Sequence, residues 1–135
     1  MAAGADEVGL SDTSGYADPA SVKRLIKVVR GAVGEAAVTG LHLHNTRGLG
    51  LANALAGQDL GITTLDASLG GLGPARSRRA PAATSFEAMG LDTSIDLDRL
   101  LRIREIVKAA VPAEEMYGFT PDAGLPLGFV QAAHA

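Results

Sequence analysis

The spacing of apolar and polar positions changes character several times along the chain. Residues 7–12, Glu7-Val8-Gly9-Leu10-Ser11-Asp12, read as a short strand ending on a polar residue. Asp18-Pro19 follows, an N-cap residue ahead of a proline at the first helical position. Val22, Leu25, Ile26 and Val29 then recur at helical spacing until Gly31 or Gly34 stops the helix. The rhythm repeats. Residues 41–44, Leu41-His42-Leu43-His44, read as a second strand, and residues 48–60 as a helix turning Leu51, Ala52 and Leu55 inward. Residues 62–67 form a third strand running into Ser68-Leu69-Gly70-Gly71-Leu72-Gly73. Residues 96–110 carry Leu97, Leu100, Leu101, Ile103 and Val107 at helical spacing, with Pro112 closing the helix. The tail from Glu114 reads as irregular. Short strands alternating with amphipathic helices predict an α/β fold with a parallel sheet.

One stretch breaks the pattern. Ala75-Arg76-Ser77-Arg78-Arg79-Ala80-Pro81-Ala82-Ala83-Thr84-Ser85 has no period and no aliphatic residue larger than alanine. Taken alone it reads as a flexible basic linker.

Composition bounds what the pattern can mean. At 135 residues one domain is expected, whereas a complete eight-fold β/α barrel needs about 250. A barrel-like chain of this length is a piece of one. With 12 Lys+Arg against 15 Asp+Glu, the net charge of −3 offers no basic field for nucleic acid. No apolar run approaches the roughly 18 residues of a membrane span, and no charged-then-apolar leader opens the chain. The expectation is a cytoplasmic protein. Cysteine is absent, which excludes disulfides, thiolate metal sites and a cysteine nucleophile or acid within the chain. Lysine is confined to Lys23, Lys27 and Lys108, while Ala, Gly and Arg abound, as in GC-rich coding sequence.

His42 and His44 are the sharpest chemical signal. On a strand, residues i and i+2 share a face, so both imidazoles converge while Leu41 and Leu43 pack the other way. Neutral imidazoles suit many divalent metals, and the carboxyl end of a strand is where α/β folds place their sites. The alternative is two structural histidines. Asp12, also at a strand end, is a candidate base, ligand or orienting group, or else an ordinary loop cap. Asp66 is either structural or turned to the site. Gly70, Gly71 and Gly73 allow close backbone approach to a ligand. His134, next to the terminus, reads as disordered.

In combination, residues 7–13, residues 41–48 (Leu41-His42-Leu43-His44-Asn45-Thr46-Arg47-Gly48) and residues 66–73 (Asp66-Ala67-Ser68-Leu69-Gly70-Gly71-Leu72-Gly73) resemble the hydroxymethylglutaryl-CoA lyase family. These are metal-dependent β/α-barrel lyases related to the Claisen-type synthases. The resemblance covers residues 2–73 and 86–111, and extends to the 117–128 tail. It implies a partial TIM-type β/α barrel over residues 1–111, with three C-terminal βα units and parallel strands. Residues 74–85 would be an aberrant loop and residues 112–135 an irregular tail.

The resemblance also implies a chemistry. His42 and His44 match the family's two metal-binding histidines, which hold Mg²⁺ or Mn²⁺. The metal binds the hydroxyl and carbonyl oxygens of an acyl-CoA thioester as a Lewis acid. Retro-aldol cleavage of a 3-hydroxyacyl-CoA then gives acetyl-CoA and an oxo acid. Asp12 matches a family aspartate in that pocket and is the candidate catalytic residue, for proton handling or substrate orientation. Asn45 stands where many members have aspartate.

Three departures from the family pattern are larger. The first-strand aspartate and arginine would precede Met1. The cysteine of the glycine loop is missing. The Gly-Asn pair that supplies another ligand is replaced by Ala83-Thr84. Two neutral ligands bind a hard cation poorly, so the isolated chain is expected to be inactive.

The aberrant loop decodes at the nucleotide level. A family loop Cys-Pro-Phe-Ala-Pro-Gly-Ala-Ser-Gly-Asn-Val, in GC-rich codons and read one nucleotide late, gives the residues of 75–85 without a mismatch. The Met1-Ala2-Ala3-Gly4-Ala5-Asp6 start is similar to the helix end by which members approach the sixth strand, so an upstream frame is expected to encode the missing strands. A partial barrel should expose apolar inner faces and free sheet edges and self-associate. Alternatives are a Claisen-type synthase relative, or a non-catalytic remnant acting as a binding or complementing module.

Overall fold

In the computed structural model, which describes residues 4–67 and 82–111, the chain forms two units, Met1–Asp66 and Ala67–Ala135. The first unit holds β1 (Val8–Asp12), α1 (Pro19–Val33), a 3₁₀ turn (Glu35–Ala37), β2 (Val38–Leu43), α2 (Gly50–Gln58) and β3 (Thr64–Leu65). The three strands pair in parallel in the order β1-β2-β3, as the alternating strands and helices predict. In β1–β2, Leu10, Ser11 and Asp12 lie opposite Leu41, His42 and Leu43. The register slips between Val8 and Gly9, so that Thr39 is the extra residue on β2.

Helix α1 begins as its sequence dictates. The Asp18 carboxylate accepts from the Ser21 backbone N–H at 2.8 Å, and Pro19 occupies the first turn. Gly34 ends the helix at φ 103°, a conformation that favours glycine. Val22 and Ile26 are buried; Leu25, expected on the same face, is 45% exposed. Arg30 ties the layers together, donating to the backbone carbonyls of Leu60 at 2.6 Å and Val38 at 3.2 Å.

Helix α2 departs from expectation. Leu51 and Leu55 are only half-buried and Ala52 is exposed, while Gly50, Asn53, Ala54, Ala56 and Gly57 are buried. Gly57 lies against the Leu41 side chain of β2 and Gly50 against Asn45, so that neither position has room for a side chain. Asn53, 1% exposed, donates from Nδ2 to the Ala17 carbonyl at 2.9 Å. The third strand is shorter than the 62–67 pattern suggests, although Ile62 is buried in the turn that precedes it.

The two faces of the sheet differ sharply. Leu10, Leu41 and Leu43 point to the helices. The opposite face presents Gly9, Ser11, Gly40, His42, Thr64 and Asp66, and most of these are exposed. The expected apolar inner face is therefore small and polar. The outer edges of β1 and β3 have no strand partner among the described residues.

The second unit contains α3 (Ala82–Ala88) and α4 (Leu97–Ala110). Asp96 caps α4 by accepting from the Arg99 N–H at 2.9 Å, matching the sequence reading. The Glu87 carboxylate accepts from the Thr93 backbone N–H at 2.8 Å and from its hydroxyl, closing the turn between the helices. Residues 82–85, expected within the aperiodic stretch, are helical. The glycines at 70, 71 and 73, the arginines at 76, 78 and 79, residues 112–135 and His134 lie outside the described residues. No helix among the described residues is long and apolar enough to cross a membrane.

Candidate active site

The site is built on β2 and its neighbours. Strand alternation sends His42 to the open face, and His44, one residue past the strand, follows it. Their Nε2 atoms stand 3.2 Å apart, with ring centroids 5.2 Å apart and planes inclined at 56°. His44 is 8% exposed, so the pair has one anchored and one more accessible member.

Asp66 arrives from β3. The register places Leu41 opposite Leu65, and the Asp66 N–H donates to the Leu41 carbonyl at 3.3 Å, continuing the ladder. One further step sets Asp66 beside His42, where its Oδ2 lies 2.6 Å from Nδ1. Of the two readings open for Asp66, this geometry is the site-facing one. Ser11, opposite His42 in the register, shares the face. Its signal was available: it sits one place before Asp12 in an alternating strand.

Asp12 lies elsewhere. It pairs with Leu43 and shares the helix-facing side. Its carboxylate accepts from the backbone N–H groups of Gly15 at 2.9 Å, Tyr16 at 3.3 Å and Ala17 at 3.0 Å, and from the Ser14 hydroxyl at 3.1 Å. The structure thus joins His42, His44 and Asp66, and sets Asp12 at the end of β1 with its carboxylate capping the turn that follows. That turn nevertheless touches the site's frame. The Asp12 carbonyl accepts from the His44 N–H at 3.3 Å, and the Gly15 carbonyl from the Arg47 N–H at 3.3 Å. Arg47 also donates to the Tyr16 carbonyl and lies 5.9 Å above the Tyr16 ring. Asn45 closes the second loop, its Oδ1 accepting from the Gly50 N–H at 2.6 Å.

The donor set fits a divalent cation in part. Two nitrogens about 2.1 Å from one ion, at right angles, lie about 3.0 Å apart, close to the observed 3.2 Å. A carboxylate behind a ligating imidazole is the usual outer partner of such sites. Among the described residues, no group of three or more His, Asp or Glu converges to hold a metal.

The known proteins most informative about this arrangement are lyases and aldolases. The chain is 38% identical over 116 residues to the (R)-citramalyl-CoA lyase of Chloroflexus aurantiacus, covering 80% of this chain and 36% of the lyase. It is 33% identical over 129 residues to 4-hydroxy-2-oxovalerate aldolase 1 of Azoarcus sp., covering 93% of this chain and 36% of the aldolase. Its structure is similar to that of an HMG-CoA lyase from Acinetobacter baumannii in complex with coenzyme A and 3-methylmalate. There the TM-score is 0.69 at 34% identity, over 96% of this chain and 43% of that one. The chain therefore spans little more than a third of the length of these curated relatives, and its parallel sheet corresponds to part of a TIM barrel. The HMGL-like family model matches residues 1–107. With a match of that extent behind the paired histidines, this chain belongs to the HMGL-like family of lyases and aldolases.

Proposed function

We propose that the chain contributes part of the active site of a cytoplasmic carbon–carbon lyase. The substrate is a 3-hydroxyacyl-CoA, cleaved in retro-aldol fashion to acetyl-CoA and an oxo acid. The observation that carries this reading is the 3.2 Å approach of His42 Nε2 to His44 Nε2 at the carboxyl end of β2. His42 and His44 would hold Mg²⁺ or Mn²⁺, which when bound supplies Lewis-acid polarisation of the substrate's hydroxyl and carbonyl oxygens. Ser11 and Thr64 offer hydroxyls on the same face for orienting polar substrate groups. Asp12 serves substrate orientation by ordering the rim that carries His44 and Arg47.

The chain alone is proposed to be inactive. It has no cysteine to protonate an enolate, and Ala83-Thr84 lacks the asparagine ligand of the resembling family. Two neutral ligands leave affinity for a hard cation low. The outer edges of β1 and β3, without a strand partner among the described residues, favour self-association, in place of the apolar inner face first expected.

The test is Mn²⁺ titration of the chain and of His42→Ala and His44→Ala, with an assay for acetyl-CoA release from hydroxymethylglutaryl-CoA and citramalyl-CoA. Weak Mn²⁺ uptake that either substitution abolishes, without turnover, is the expected result. Uptake unaffected by both substitutions would overturn the site assignment, and histidine-dependent turnover would overturn the inactivity.

A second reading is an aldolase acting on a 4-hydroxy-2-oxo acid. The similarity to the Azoarcus aldolase over 93% of this chain favours it. Release of pyruvate from 4-hydroxy-2-oxovalerate would distinguish it from the CoA reading.

A further inference from the structure

We infer that Asp66 is the positioning residue of the histidine pair. By accepting the Nδ1–H of His42, it selects the tautomer that leaves Nε2 unprotonated and aims it at the point shared with His44. This deepens the metal-site reading above and rests on it for its link to metal affinity.

The inference follows from counting protons. An ionised carboxylate only accepts, so the 2.6 Å contact between Asp66 Oδ2 and His42 Nδ1 places the hydrogen on Nδ1. A neutral imidazole carries one N–H, so His42 Nε2 then bears a lone pair. That nitrogen faces His44 Nε2 at 3.2 Å. A lone pair on Nε2 is also what a metal needs from His42. The opposite tautomer would put hydrogen into the shared space and block it.

Geometry supports the same assignment. Asp66 is held by its own backbone, donating to Leu41 at 3.3 Å, so its carboxylate is delivered by the parallel ladder rather than by a flexible loop. The His42 side chain is 30% exposed and that of Asp66 is 59% exposed. His44 differs, being anchored by burial. Asp66 supplies for the accessible ring the constraint that packing supplies for the buried one.

The experiment uses the whole 135-residue chain, Asp66→Ala and Asp66→Asn, with circular dichroism to verify folding. Long-range ¹H–¹⁵N spectra of the metal-free imidazoles, recorded above the pH range of histidine titration, report the tautomer of His42. Mn²⁺ titration reports affinity. In the unsubstituted chain His42 should be the Nδ1–H form. Asp66→Ala should shift it toward Nε2–H and weaken Mn²⁺ binding about 10–100-fold. Asp66→Asn, whose amide oxygen still accepts, should restore the tautomer in large part. An unchanged tautomer in Asp66→Ala overturns the inference, as does an unchanged Mn²⁺ affinity where the unsubstituted chain binds. A tautomer that depends on Asp66 in a chain that takes up no Mn²⁺ upholds the orienting role and overturns the metal reading instead.

Discussion

Gly57 of α2 and Leu41 of β2 meet so closely that a Cβ on Gly57 would overlap Leu41 Cδ1. Leu41 is 4% exposed and cannot retreat into solvent. Gly57→Ala should therefore cost about 1–3 kcal/mol through overpacking, despite alanine's better helix propensity. Gly31 in α1 is the matched control, since a Cβ there meets nothing within 4 Å. Gly31→Ala should stabilise by about 0.4–1 kcal/mol. Urea melts of the two variants with opposite signs would establish the contact; stabilisation by both would refute it.

Asp12 offers a second test. Its carboxylate receives three backbone N–H groups and a hydroxyl, so Asp12→Ala leaves a partly buried turn without acceptors. A loss of about 1–3 kcal/mol is expected, and less for Asp12→Asn, which keeps one acceptor oxygen. Amide exchange at Gly15, Ala17 and His44 should accelerate together in Asp12→Ala. Acceleration confined to the turn would disconnect Asp12 from the histidine loop.

Asp18 links stability to acid. Its backbone hydrogen bond from Ser21, aided by the Ser21 hydroxyl, holds its pKa below the ordinary 3.8. The folded state thus favours the charged carboxylate. That contribution is complete above the unfolded value near 3.8 and is lost as pH falls through the lower folded value. Asp18→Ala should lower Tm most at neutral pH, and the gap from the parent should narrow under acid. A gap that widens on acidification would contradict the assignment.

The gene itself makes the fourth prediction. The frame adjacent to the codons of residues 75–85 should encode a Cys-Pro-Phe-Ala-Pro-Gly-like loop. Stop codons or unrelated residues there would mark the stretch as native to this chain.

Much of the site was legible because strand period is a two-residue rule. That rule alone placed His42 and His44 on one face, and the structure joins them at 3.2 Å. The helix starts at Asp18 and Asp96 were legible because capping is local chemistry, confined to four consecutive residues. What escaped depends on distance between elements. The α2 face differs from expectation because hydrophobicity favours Leu51 and Leu55, while the close approaches to Asn45 and to Leu41 of β2 favour Gly50 and Gly57. Asp66 stays open in the sequence between a structural and a site-facing reading, since only the β2–β3 register sets it beside His42. Asp12 reads alike as a strand-end acid or a turn cap, and only its hydrogen bonds distinguish the two.

The contrast between the sheet's two sides has an evolutionary consequence. Leu10, Leu41 and Leu43 are committed to the helices, so change there is taxed in stability. Ser11 and Thr64 stand exposed on the other side and contribute little packing. Substitution among them leaves the scaffold intact while altering what a bound molecule meets. Side chains on such a surface can change independently of folding, and the chain is similar both to a protein named for a CoA lyase and to one named for an aldolase.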